Sequence, residues 1–149
     1  MRTGDSAGNR ETGASPPGLA DIRRLGTTLL VGRDASQRAG AARSLGERGF
    51  VSAYAWLRHA LWDPAETVRA SAVEAIGVLA VGQSAGELAA LYAWSGPRLR
   101  QAVLRAVQRI GYRSGFEGIL ALARDDPDAK VRGLAARAER TFTRGRRRS

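Results

Sequence analysis

Side chains able to do covalent or metal chemistry are scarce in this chain. His59 is the only histidine and there is no cysteine. That leaves a Ser/His/Asp set only His59 to draw on, a lone surface-type histidine, and excludes a Cys/His nucleophile pair, a two-histidine or thiolate metal site, and any disulfide. Asp125, Asp126 and Asp128 form a carboxylate cluster, but they lack the glycine and distal glutamate of a calcium loop and read as helix N-caps. Gly77, Gly82 and Gly86 are not followed by Gly-Lys-Ser/Thr, so they make no phosphate loop and read as helix ends. The expectation is a protein that is not an enzyme and holds no cofactor and no metal.

The abundant chemistry is guanidinium chemistry. Of 24 Lys and Arg residues only Lys130 is lysine, leaving 23 arginines, and the formal net charge is +10. Arginine is the better bidentate donor to carboxylate and phosphate, and net charge of this sign draws acidic partners or polyanions over distance. The arginines are also ordered. Val68-Arg69-Ala70-Ser71-Ala72-Val73 returns as Leu99-Arg100-Gln101-Ala102-Val103-Leu104 and as Val131-Arg132-Gly133-Leu134-Ala135-Ala136, and earlier as Gln37-Arg38-Ala39-Gly40-Ala41-Ala42. The aligned arginines stand 31, 31 and 32 residues apart. Five residues after each come Arg43, Glu74, Arg105 and Arg137, a row across the repeats with three basic members of four. Between Glu87 and Glu117 no acidic residue occurs, and there Arg98, Arg105 and Arg109 share one helical face. A second basic element closes the chain: Arg140, Arg144, Arg146, Arg147 and Arg148.

A period of this length marks a stacked helical array, because one unit cannot bury its apolar face alone. Punctuation by Gly, Pro, Asp and Ser divides the chain into four helical pairs, each a first helix A and a second helix B. The pairs span roughly 19–31 with 36–48, 50–62 with 65–80, 84–94 with 97–111, and 114–124 with 127–142. Asp63-Pro64 and Asp126-Pro127 supply a capping residue and a proline at the first turn; Gly96-Pro97 does so in the third pair. Phe50, Tyr54, Leu57 and Leu61 form one A-helix core face, followed by Leu88, Leu91 and Tyr92, then Ile119, Leu120 and Leu122. Alanines crowd the B helices, where they allow close helix approach. Residues 1–17 contain no Leu, Ile, Val or aromatic and are expected to be disordered; 18–142 form the repeat domain, and 143–149 a flexible basic tail.

Asp63-Pro64-Ala65-Glu66-Thr67-Val68-Arg69 and Asp126-Pro127-Asp128-Ala129-Lys130-Val131-Arg132 resemble the short HEAT-like repeat of bacterial proteins and phycobilin lyase-type chains. The resemblance implies an all-α, right-handed solenoid of about four helical hairpins, with B helices on the concave side. It also implies a ladder of aspartate and arginine between neighbouring repeats, in which Arg38, Arg69, Arg100 and Arg132 are structural. Trp94 stands where the third aspartate belongs and Gly32 where the first does, so the ladder is expected to weaken at pairs one and three.

The combined reading is a non-enzymatic scaffold or assembly subunit. It binds an acidic protein surface through Arg43, Glu74, Arg98, Arg105, Arg109, Arg137 and the terminal arginines. The alternative is sequence-independent nucleic-acid binding through the same arginines, although no aromatic interleaves them. A role on a tetrapyrrole or other small ligand is implied only by the resemblance, and would need a deep pocket near Trp56, Tyr92 or Trp94. Trp56 is either an exposed interface anchor beside Arg58 and His59 or a contact with the adjacent A helix. No signal-peptide core or membrane-spanning stretch occurs, so a cytoplasmic monomer is expected.

Overall fold

The computed structural model describes residues 17–147, which fold into eight α-helices with no strand among them. The A helices are α1 (Pro17–Val31), α3 (Tyr54–Ala60), α5 (Ala85–Ala93) and α7 (Phe116–Arg124). The B helices are α2 (Ala35–Glu47), α4 (Glu66–Val78), α6 (Pro97–Ile110) and α8 (Ala129–Arg146). The expected disorder of 1–17 falls, except for Pro17, outside the described residues. Pro17 itself begins α1.

Each B helix starts for a local reason. Asp34 caps α2 by accepting from the Gln37 backbone N–H at 2.8 Å, and Asp128 caps α8 by accepting from Val131 N–H at 2.9 Å. Proline stands in the first turn of α6, where its missing N–H leaves nothing unsatisfied. Asp63 and Asp126 do not sit at the N-cap. Each stands two residues ahead of it and folds its carboxylate onto a backbone N–H, of Ala65 and Asp128 respectively, at 2.9 Å.

The B helices pack against one another much more closely than the A helices do, so the stack curves with the B helices inside. Glycine sets that closeness at two equivalent places. A Cβ built on Gly46 would fall 2.9 Å from Ala75 Cα, and one on Gly77 would fall 2.9 Å from Ala106 Cα, so only hydrogen fits. Gly77, read from the sequence as a helix end, lies in the last turn of α4 and serves as a packing surface. The core runs through every pair, from Leu29 and Leu45 through Leu57, Leu61 and Ile76 to Leu104, Phe116 and Ile119.

Two core expectations are corrected. Phe50 is 45% exposed because a 3-10 turn over Val51–Ala53 delays α3 to Tyr54, leaving Phe50 against Gly18 at the rim. Leu122 is 58% exposed, because it falls about 110° round α7 from the centre of the buried face formed by Phe116, Ile119, Leu120 and Ala123. Leu30 also faces outward, unlike Ile22 and Leu29. Trp56 is settled in favour of the helix contact: a Cβ on Gly26 of α1 would lie 2.3 Å from its ring, so the indole rests flat on that glycine.

Candidate functional site: an arginine ladder and a concave cleft

The ladder is built from one repeated arrangement on the edge where A helices turn into B helices. In each pair the arginine's Nη1 donates to the carbonyl of the turn before its own helix. The acceptors are Gly32 (3.0 Å), Asp63 (2.7 Å), Ser95 (2.7 Å) and Asp126 (2.7 Å), for Arg38, Arg69, Arg100 and Arg132 in that order. The free edge of the guanidinium then faces the next repeat. Arg38 meets Asp63 there, with Nε to Oδ2 at 2.7 Å and Nη2 to Oδ1 at 3.0 Å. Arg100 meets Asp126, with Nε 2.8 Å from Oδ2 and Nη2 donating to Oδ1 at 3.2 Å. Such fork-on-carboxylate pairs combine charge with fixed geometry.

This geometry revises the expected weak points. Each arginine reaches forward, so an aspartate missing from one pair disarms the arginine of the pair before it. Pairs one and three therefore hold complete rungs, while Arg69 and Arg132 find no carboxylate among the described residues. The turn of the third pair is also one residue shorter. Ser95, not Trp94, offers the carbonyl to Arg100, and the Ser95 hydroxyl turns back to the Leu91 carbonyl at 2.5 Å. Trp94 is displaced outward and is 87% exposed.

Electrostatics follow the contacts. The Arg38 guanidinium bonded to Asp63, helped by the Ala65 N–H, holds the Asp63 carboxyl below its ordinary value despite partial burial. The same bond raises Arg38. For Asp126 burial is the largest influence and opposes ionisation. The Tyr92 hydroxyl (2.6 Å), the Asp128 N–H and Arg100 together outweigh it, and its pKa is also lowered. Burial, then the bond to Asp126, pushes the Tyr92 phenol up. Tyr54, buried and near the Glu87 charge, is pushed up to about 12. The part played by Tyr92 in the Arg100–Asp126 rung was missed from the sequence, where its spacing marked it as core alone.

On the inner face α4 and α6 frame a cleft of about 370 Å³. Its floor is Ala70, Gly77, Ala102 and Ala106; around it stand Glu74, Arg98, Gln101, Arg105 and Arg109. Four residues chosen from the sequence, Glu74, Arg98, Arg105 and Arg109, thus come together; the signal was the common helical face of the three arginines and, for Glu74, its place in the row five residues after the ladder arginines. Gln101 was not foreseen. It accepts from Arg105 Nη2 at 3.3 Å and approaches Asp128 Oδ1 at 3.4 Å, bridging α6 to α8. Arg43 lies outside the cleft, exposed on α2 with its Nη1 3.4 Å from Ser71 Oγ. Arg137 is exposed on α8.

The terminal arginines divide. Helix α8 continues to Arg146, four residues beyond the expected end of the repeat domain, so the first part of the expected tail is helical. Arg140, Arg144 and Arg147 line a shallow groove with Ala136, Glu139 and Thr143. Arg146 points to the other side, over the Tyr112 ring at 4.2 Å and 3.8 Å from Glu117. Arg148 lies outside the described residues. The tryptophan and tyrosine considered for a small-ligand pocket serve elsewhere: Trp56 packs on α1, Tyr92 binds Asp126, and Trp94 stands in solvent. No cluster of metal-ligating side chains occurs among the described residues, and no described helix is long and apolar enough to cross a membrane.

No family model and no curated protein matches the chain. Among solved structures it is similar to the complex of CpcE and CpcF of phycocyanin lyase from Nostoc sp. PCC7120, with a TM-score of 0.72 and 25% identity. The match covers 85% of this chain and 54% of that one, so the chain spans about half the length of the protein it matches. The fold is therefore a HEAT-like helical repeat, as the resemblance of the two Asp-Pro motifs implied. The likeness also overturns the expectation that the chain is not an enzyme, since the matched protein is a phycocyanin lyase. The lack of a self-contained nucleophile or metal constellation in the sequence does not exclude a catalytic role. A helical-repeat subunit can serve catalysis by holding and orienting reactants.

Proposed function

We propose that the chain is one subunit of a lyase-type enzyme complex, and that it meets an acidic surface of its protein partner through the cleft between α4 and α6. One observation carries this reading: Arg98, Arg105 and Arg109 gather around a single cleft whose floor is made only of small side chains. A partner segment can lie close to that floor while its carboxylates meet the surrounding arginines. Exposed charge pairs of this kind contribute about 0–1 kcal/mol each, and they act more on encounter rate and specificity than on affinity. Glu74 beside the arginines adds discrimination, because it repels carboxylates placed out of register. The solved complex to which the chain is similar, itself made of two subunits, supports a complex-forming role.

The test is site-specific photo-crosslinking in cells, with the photoreactive residue placed at Gln101 in the cleft or at Ala121 on the outer surface of α7. The reading expects capture of a protein partner from Gln101 but not Ala121, through a partner segment rich in Asp and Glu. Equal capture from Ala121, capture through a basic segment, or capture of nucleic acid from Gln101 contradicts it.

A further inference from the structure

We propose that the incomplete rung between the second and third pairs is a second docking site, taking a protein segment in which a carboxylate adjoins an apolar side chain. The proposal concerns the turn edge rather than the concave cleft, and it stands whether or not the cleft reading holds.

Arg69 is set up like the arginines of the complete rungs. Its Nη1 is fixed by the Asp63 carbonyl at 2.7 Å and the Pro64 carbonyl at 3.0 Å, and the residue is half-buried. In the Arg38 and Arg100 rungs an arginine anchored in this way presents Nε and Nη2 to an aspartate of the next repeat. At Arg69 that position belongs to Ser95, whose hydroxyl is committed to Leu91. The fork makes no ion pair with the next repeat, and the nearby Asp63 carboxylate, on which Arg69 acts only at longer range, is bonded to Arg38; holding the fork beforehand reduces the ordering cost of binding.

The second, independent observation is aromatic. Trp62 immediately precedes Asp63 and Trp94 immediately precedes Ser95, so the two tryptophans belong to the two turns that border the Arg69 rung. They are 53% and 87% exposed. Solvent-facing tryptophans beside an arginine have the composition of an interface anchor. Charge complementarity then selects the occupant: a carboxylate for Arg69 and an apolar neighbour for the indoles. The complete rungs show the carboxylate such a site accepts, an aspartate followed by proline, as at Asp63-Pro64 and Asp126-Pro127.

The probe is the capped peptide Ac-Leu-Asp-Pro-NH2, with Ac-Leu-Asn-Pro-NH2 as its uncharged counterpart. Each is titrated into the full chain while the tryptophan indole and arginine Nε–H signals are followed by NMR. The expected result is saturable movement of the Trp94, Trp62 and Arg69 signals with a dissociation constant on the order of 1 mM. The asparagine peptide should bind at least about tenfold more weakly, because the charge-assisted bond is lost. Trp94→Ala should weaken binding about tenfold, and Ser95→Asp should abolish the response by supplying the carboxylate from within. Arg69→Gln removes the cationic fork while keeping a polar side chain, so it should abolish binding in a protein whose fold is checked by circular dichroism, whatever Ser95→Asp does to stability. Equal binding of the two peptides, no saturable response, or an unchanged response in Arg69→Gln overturns the proposal. Loss of the cleft interaction in an Arg105 variant bears on the other surface alone.

Discussion

Replacing Asp126 by asparagine is the most exacting perturbation of the ladder. The Asp126 side chain is 4% exposed and that of Arg100 is 19% exposed, so the pair is largely withdrawn from water. Asp126 also accepts from Tyr92 at 2.6 Å and from the Asp128 N–H at 2.9 Å. The asparagine retains the shape and one acceptor oxygen, but the Arg100 charge loses its counter-charge. Breaking a buried pair from one side costs about 3–5 kcal/mol, and the residual exposure of Arg100 puts the expectation near the lower bound, about 3 kcal/mol. With a urea m-value of about 1.5 kcal/mol/M, that moves the unfolding midpoint down by about 2 M at unchanged m. The internal control is Arg69→Leu, which removes two hydrogen bonds to backbone carbonyls but no ion pair and should cost about 1 kcal/mol. Arg100→Leu should cost clearly more, because it strands Asp126. Urea unfolding of the three variants, followed by circular dichroism, is the assay. A cost for Asp126→Asn below about 1 kcal/mol, or equal costs for Arg69→Leu and Arg100→Leu, would refute the assignment of complete and incomplete rungs.

Other consequences concern pH and packing. The folded-state pKa values of Asp63 and Asp126 are lowered, so their stabilisation is fully present above the ordinary carboxylate value. It is lost as pH falls through the lower folded values, and thermal melts across acid pH should show that loss shrink in Asp63→Asn. Tyr54 and Tyr92 are raised, so their contribution is complete below about pH 10 and declines as pH rises above it; alkaline melts should fall accordingly. Gly77→Ala drives a Cβ to 2.9 Å from Ala106 Cα and should cost about 1–3 kcal/mol in urea unfolding. Gly86→Ala meets nothing within 4 Å in a helix and should be neutral or stabilising by up to about 1 kcal/mol.

The helices and their order were legible because repetition multiplies a weak signal. One Val-Arg-Ala stretch says little, whereas four in register fix the pairs and place Arg38, Arg69, Arg100 and Arg132 on one edge. Turn lengths were less legible. A constant spacing from the arginine assigned Trp94 to the aspartate position, but the third turn is shorter by one residue and Ser95 takes that place. The rungs were foreseen as a ladder, yet which would fail depended on the arginines reaching forward, a direction that spacing does not contain. Phe50 fitted a helical stripe and still lay half outside, because a 3-10 turn rotated the start of α3. Within the site, Arg98, Arg105 and Arg109 were readable from one helical face. Gln101, Ala70 and Gly77 were not, since a cleft between two helices is a property of their approach and not of either sequence alone.

The most direct measurement of the central claim is fluorescence anisotropy of a labelled Asp/Glu-rich peptide, with a labelled mixed-sequence duplex in parallel. Both are titrated with the wild-type chain, with Arg105→Ala/Arg109→Ala, and with a chain ending at residue 143, in 150 mM salt. The account predicts that the peptide binds, that binding drops at least about tenfold in the cleft variant, and that truncation changes it little. Peptide binding indifferent to Arg105 and Arg109 would contradict it. So would tight duplex binding at this salt that weakens on truncation.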